Sequence, residues 1–260
     1  MKSIMLTTLR TSIIAAFAAL PLGCAVPMEG ADDVGQEQAE LVSTNGLSSV
    51  NGLSSVNGLS SVNGLSSVNG LATTCGVKDG VGLMTSADGR NTLAYLVRCA
   101  LPAGRSITKK DQYGTSYKFN GEIGVAPNWE TNSCDTSCEE WVSACLLSHV
   151  NVQARNINYW MDASNSAIQY GMSPTYPKQE GAYYGNLFPS PPSAFACKGP
   201  YASTGTALGR MCSGTGCPYQ ANVTCSSSCN KNGGQDAYTS CPGTLGGPKV
   251  WTRAVTTYLQ

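Results

Sequence analysis

Cys134-Asp135-Thr136-Ser137-Cys138-Glu139-Glu140-Trp141-Val142-Ser143-Ala144-Cys145-Leu146-Leu147-Ser148-His149 holds three of the chain's 12 cysteines, one of its 4 tryptophans and its only histidine. Read as a helix, it sets Cys138, Trp141, Val142, Cys145, Leu146 and His149 on one stripe, at the i, i+3, i+4, i+7 spacing of a buried face. Thr136 followed three residues later by Glu139 reads as a capping box, which starts the helix near Ser137. This helix is expected to be the post against which the folded domain packs.

Around that post the composition is unusual. Of 260 residues, 42% are apolar and only 12% charged, where about a quarter charged is normal. Basic and acidic residues balance at 16 each, but unevenly. Residues 25–74 carry the five acids Glu29, Asp32, Asp33, Glu37 and Glu40 and no Lys or Arg, whereas 75–260 carry 14 basic and 11 acidic residues. No long basic run occurs, so a nucleic-acid partner is not expected.

One cysteine, Cys24, falls at an export signal. The other eleven are Cys75, Cys99, Cys134, Cys138, Cys145, Cys197, Cys212, Cys217, Cys225, Cys229 and Cys241. In an exported chain this density reads as a disulfide framework. A zinc site favours CxxC pairs or Cys and His at set spacings, and here the gaps are CxxxC and CxxxxC with a single His. No metal and no cofactor are therefore expected. Five bridges would leave one of the eleven unpaired, and spacing does not fix the connectivity.

The export signal is residues 1–24: Lys2 and Arg10, then the apolar run Ile13 to Leu20. It is too short to span a membrane in the mature protein. Its end, Leu20-Pro21-Leu22-Gly23-Cys24, resembles the lipobox of bacterial lipoproteins, in which the cysteine receives lipid and becomes the N-terminus. Pro21 departs from that pattern, and cleavage after Ala25 is the rival. Lipid on Cys24 is the favoured reading, because the acidic segment 25–44 has the character of a tether. By the same resemblance, Ala25 after the cysteine directs such a protein to the outer membrane.

Residues 45–68 contain Asn-Gly-Leu-Ser-Ser-Val four times without variation, and Asn69-Gly70-Leu71 begins a fifth copy. A hexapeptide β-helix would need roughly three stacked coils, and this run is too short to build them. Asn-Gly is turn chemistry and Ser and Gly favour a flexible chain, so 45–74 reads as a spacer. The rival is a β-prone element that orders on self-association, which its low charge and lack of Pro permit.

Residues 75–260 read as a single disulfide-rich α+β domain, an antiparallel sheet packed on one or two helices. Asp88 is expected to cap a helix over Gly89–Ala100, which Pro102 stops. Strands are expected at Arg105–Lys109, Ser116–Val125, Val152–Met161 and Ala182–Phe188, with 162–182 as loop. Cys197 to Cys241 has almost no apolar periodicity and is expected to be a cystine-stapled cap. Lys249–Leu259 is expected to dock as a last strand or short helix.

Chemistry is harder to find. The sharpest catalytic candidate is Cys145 with His149, four residues apart on one helical face. In an oxidising compartment Cys145 is expected to be bridged and His149 to be a hydrogen-bonded core residue. GxSxG, HExxH, P-loop and dinucleotide patterns are absent from the sequence. Glu139, Glu140, Asp162 and Glu180 are available as carboxylates, with no spacing that pairs two of them. Aromatics gather at Tyr159, Trp160, Tyr170, Tyr176, Tyr183, Tyr184 and Tyr201. If Tyr159 points inward, strand alternation turns Trp160 outward, so Trp160, Tyr183 and Tyr184 are the expected binding residues.

The Asn-Gly-Leu run after an export signal, followed by a Cys-rich domain with Cys138-Glu-Glu-Trp-Val-Ser-Ala-Cys-Leu-Leu147, resembles secreted or lipoprotein-like proteins of myxobacteria with no known activity. The resemblance implies an envelope location and carries over no functional residue. The chain is thus expected to be an exported, surface-anchored or released, non-catalytic module that binds a protein or glycan or helps build the envelope. The alternative is a hydrolase of envelope polysaccharide or peptide, using His149 or a carboxylate pair.

Overall fold

A computed structural model describes residues 42–45, 59, 65–150, 157–202, 211, 219–231, 236–243 and 249–260. The export signal, Cys24, Cys212 and Cys217 lie outside the described residues. In chain order the elements are β1 (Val42–Asn45), α1 (Ala87–Ala100), β2 (Ser106–Lys110), β3 (Ser116–Asn120), α2 (Thr136–Ser148) and β4 (Ile157–Asp162). They continue with β5 (Lys178–Asn186), β6 (Ser193–Lys198), β7 (Gln220–Thr224), α3 (Cys225–Ser228), β8 (Asn230–Lys231) and β9 (Tyr238–Thr239). The last are β10 (Cys241–Pro242), β11 (Val250–Trp251) and β12 (Ala254–Leu259). The class is α+β.

The main sheet runs β1-β4-β12-β5-β6-β7. Every pair is antiparallel except β6 with β7. The C-terminal strand therefore lies inside the sheet, between β4 and β5. Its sequence, Ala-Val-Thr-Thr-Tyr-Leu, suits a covered strand, and all six residues are buried. Helix α2 packs across β5 and β12. A second apolar cluster, with Ala182, Tyr184, Cys197, Cys225, Cys241 and Trp251, joins β5 to the cystine-rich segment.

Both long helices form where the sequence places them, with different caps. Ser86, not Asp88, caps α1: its side chain accepts from the Gly89 N–H, and the helix starts at Ala87. Asp135, not Thr136, caps α2 by accepting from the Cys138 N–H at 2.8 Å. From Val142 to His149 every residue of the post is buried, because α1, β5 and β12 all pack against it. Trp141 is only half-buried, against the core's edge.

Disulfides tie these layers together. Cys99–Cys145 joins α1 to α2, and Cys134–Cys138 closes the first turn of α2. Cys197–Cys225 joins β6 to α3, and Cys229–Cys241 joins the end of α3 to β10. Cys75 is also disulfide-bonded. No cysteine among the described residues is free, so the expected unpaired one is not found there.

The folded unit begins before Cys75. Leu59, Leu65 and Leu71, the leucines of three successive repeat units, belong to the main core at 1%, 2% and 0% exposure. Leu65 bridges to Val77, and the Leu71 N–H donates to the Trp129 carbonyl at 2.8 Å. Lys109, itself buried, donates from Nζ to the Ala72 and Thr73 carbonyls at 3.2 and 2.7 Å, fixing the exit from the repeat. Upstream, β1 in the expected tether adds an edge strand, with Val42 opposite Trp160.

Candidate functional site

Cys145 and His149 are brought together but not as a nucleophile and base. The Cys145 sulfur is bonded to Cys99, which removes the thiolate that attack requires. His149 Nδ1 lies 2.9 Å from the Cys145 carbonyl oxygen and 3.8 Å from the Cys99 sulfur. Its ring sits between Tyr95 and Tyr159, edge-on at 5.2 and 5.8 Å between centroids, and is fully buried. Ser148 Oγ donates to the same Cys145 carbonyl at 2.6 Å. Sulfur and imidazole atoms of Cys99, Cys145 and His149 lie within 4.8 Å of one another, as do those of Cys197, Cys229 and Cys241. A metal would need thiolates, and in both groups the sulfurs are spent in disulfides.

The expected binding aromatics are buried. Trp160 is 5% exposed, and Tyr183 and Tyr184 are 0% exposed. Alternation fails as a guide because β4 and β5 flank β12 and carry packing on both faces, where a one-sided sheet would leave alternate residues in water. Trp160 does so by lying under the loop between β4 and β5. Its Nε1–H donates to the Gly171 carbonyl at 2.7 Å. Tyr176 stacks on it at 6.4 Å, and Tyr170 tilts against it at 5.5 Å.

That loop supplies what sequence reasoning missed. The chain turns at Gly171, whose φ of +72° lies in the left-handed region, and the flanking side chains reach solvent. Tyr170 is 38% exposed and Met172 52% exposed. These two exposed side chains on either side of Gly171 are the loop's apolar rim, with Tyr170 packed against the buried Trp160. Tyr170 was visible in the sequence only as one aromatic among seven. Met172 carried no signal.

The carboxylates are dispersed among separate partners. Glu139 accepts from Asn186 Nδ2 at 2.9 Å, and Glu140 pairs with Lys249 and Arg253 at 3.6 and 3.8 Å. Glu180, fully buried, accepts from Thr257 Oγ1 at 2.7 Å. Asp162 is also fully buried. Its Oδ1 accepts from the Gly171 N–H at 3.1 Å, while Oδ2 has no hydrogen-bond partner. Burial pushes the Asp162 carboxyl above the usual range, against the backbone N–H bonds that favour its charge.

Among the described residues, two of the cavities fall in the size range of small-ligand sites. One, of about 440 Å³, lies between α1 and β3 and is lined by Tyr95, Arg98, Lys118 and Glu122 among others. The other, of about 320 Å³, runs beside the docked repeat, between Leu59, Leu65, Phe188 and Pro189. Neither is lined by Cys145, His149, Trp160, Tyr183 or Tyr184.

No protein-family model, curated protein or solved structure matches the chain. Its class is therefore defined by its own architecture: a disulfide-stapled α+β domain into which the end of a hexapeptide repeat is built.

Proposed function

We propose that this chain is an exported, non-catalytic binding or structural module of the bacterial cell envelope, anchored by lipid on Cys24 or released. One observation carries the non-catalytic part. The Cys99–Cys145 disulfide beside His149 converts the sharpest catalytic candidate into a structural joint. The density of bridges supports an oxidising compartment. A protein or glycan partner would meet the rim formed by Tyr170 and Met172, since an exposed aromatic beside a flexible apolar side chain suits either.

A carboxylate-based hydrolase remains the second reading, because Asp162 has the environment of a general acid: buried, with one oxygen unpartnered. The two are separated by assaying envelope polysaccharide turnover with Asp162→Asn and Glu180→Gln, and by pull-down on cell-surface fractions with Tyr170→Ala and Met172→Ala. Binding lost in the rim variants, with no turnover by any form, supports the module. Turnover abolished by Asp162→Asn in a folded protein replaces it with the hydrolase. Intact mass of the membrane fraction tests the anchor: the mass of a lipidated Cys24 N-terminus is expected, and an unmodified one would remove the anchor from the account.

A further inference from the structure

Two bridges of the cystine-rich segment share one cluster of sulfurs. Cys197–Cys225 joins β6 to α3, and Cys229–Cys241 joins the end of α3 to β10. Cys197, Cys225 and Cys241 belong to one apolar cluster, and Cys229 packs against it. The Cys229 sulfur lies 3.4 Å from the Cys197 sulfur, which belongs to the other bridge. The sulfurs of Cys197, Cys229 and Cys241 all fall within 4.8 Å of one another. At Cys99–Cys145 the corresponding group is completed by His149 and holds no third sulfur.

Burial sets an order among these sulfurs. Cys197, Cys225 and Cys241 are 0% exposed, whereas Cys229 is only half-buried. A thiolate from outside therefore meets Cys229 first, and thiol–disulfide exchange depends on such access. Cys225 and Cys229 are one turn apart, with the Cys229 N–H donating to the Cys225 carbonyl at 2.9 Å. A bridge between Cys197 and Cys229 spans a separation of 32 residues, where Cys197–Cys225 spans 28. Loop-closure entropy hardly changes over so small an increment.

We propose that these four cysteines form an exchange site for a dithiol, in which opening Cys229–Cys241 moves the other bridge from Cys197–Cys225 to Cys197–Cys229. One thiolate of the dithiol attacks Cys229 Sγ, forming a mixed disulfide and releasing the Cys241 thiolate. The second thiol then attacks the dithiol's own sulfur in that mixed disulfide, closing to a cyclic disulfide and releasing the Cys229 thiolate. This thiolate attacks Cys197 Sγ across the 3.4 Å contact, the Cys197–Cys225 bond breaks, and the Cys225 sulfur leaves as a thiolate. The dithiol gives up two electrons and two protons, and the protein takes them up as the Cys225 and Cys241 thiols. β6 stays tied to the end of α3, while β10 loses its covalent link to it. The proposal is independent of what meets the Tyr170–Met172 rim.

The test is tandem mass spectrometry of linked peptides from the folded full-length protein, treated with one equivalent of dithiothreitol and then alkylated. Fragmentation within the peptide distinguishes Cys225 from Cys229. The expected result is a Cys197–Cys229 link with Cys225 and Cys241 alkylated, and Cys99–Cys145 still linked. Cys241→Ser and Cys225→Ser, prepared without reductant, each free one thiol at the contact, and both should hold Cys197–Cys229. A reduced wild type that keeps Cys197–Cys225 with Cys229 alkylated overturns the proposal. So does a Cys229–Cys241 bridge that dithiothreitol leaves closed, or a Cys241→Ser variant whose Cys229 is alkylated.

Discussion

Gly70 backs directly onto Thr131: a Cβ at position 70 would sit 2.4 Å from the Thr131 carbonyl carbon and 2.6 Å from its oxygen. Both contacts are to backbone, which cannot swing aside as a flexible side chain can. Gly70→Ala is therefore expected to destabilise the domain by about 1–3 kcal/mol, the range for overpacking. Leu71→Ala should cost about 2–5 kcal/mol, as a buried leucine does. Urea unfolding of the full-length protein measures both. Unchanged midpoints would return the last repeat unit to the status of a tether.

Trp160 is a core residue with an exposed neighbour, so the two substitutions separate. Trp160→Ala should lower stability by about 3–5 kcal/mol, which makes any loss of binding by that variant uninformative. Tyr170→Ala, at the rim, should leave the unfolding midpoint within about 0.5 kcal/mol of wild type and reduce retention on the partner. Thermal melts and pull-downs on the same preparations check the pair.

Asp162 gives the stability a pH dependence of known sign. Its folded-state pKa lies above that of an unfolded aspartate because burial disfavours the carboxylate. Between the two values the folded chain holds more protons than the unfolded one, so stability falls as pH rises through that window. The contribution is complete below the unfolded pKa and lost above the folded one. Asp162→Asn removes the titration and should flatten that part of the stability profile, measured by urea midpoints from acid to neutral pH. A variant profile parallel to wild type would show that Asp162 is not its source.

What was legible in the sequence was local. The α2 periodicity and the Pro102 stop after α1 each depend on neighbours within a few residues. What was hidden depends on distant partners. Nothing in residues 254–259 says that they pair with β4 and β5 rather than with an edge, and nothing within β4 shows that the loop after it folds back over Trp160. Strand β5 starts at Lys178 instead of Ala182, because its early residues are recruited by β12, with Leu259 opposite Lys178. The burial of Leu59, Leu65 and Leu71 is hidden for the same reason. Leu59 and Leu71 donate to the carbonyls of Leu187 and Trp129, which are far away in sequence. For the site, the closeness of Cys145 and His149 was readable from their four-residue spacing on α2, and the bridge at Cys145 from the density of cysteines.

The Cys99–Cys145 bridge makes the pair at the heart of α2 a joint. Peptide mapping of the unreduced, alkylated protein tests it most directly. A Cys99–Cys145 linked peptide and no alkylation at Cys145 are expected, and removing the bridge by Cys99→Ala with Cys145→Ala should cost about 4 kcal/mol for a loop of this length. An alkylated, free thiol at Cys145 in the folded protein would contradict it.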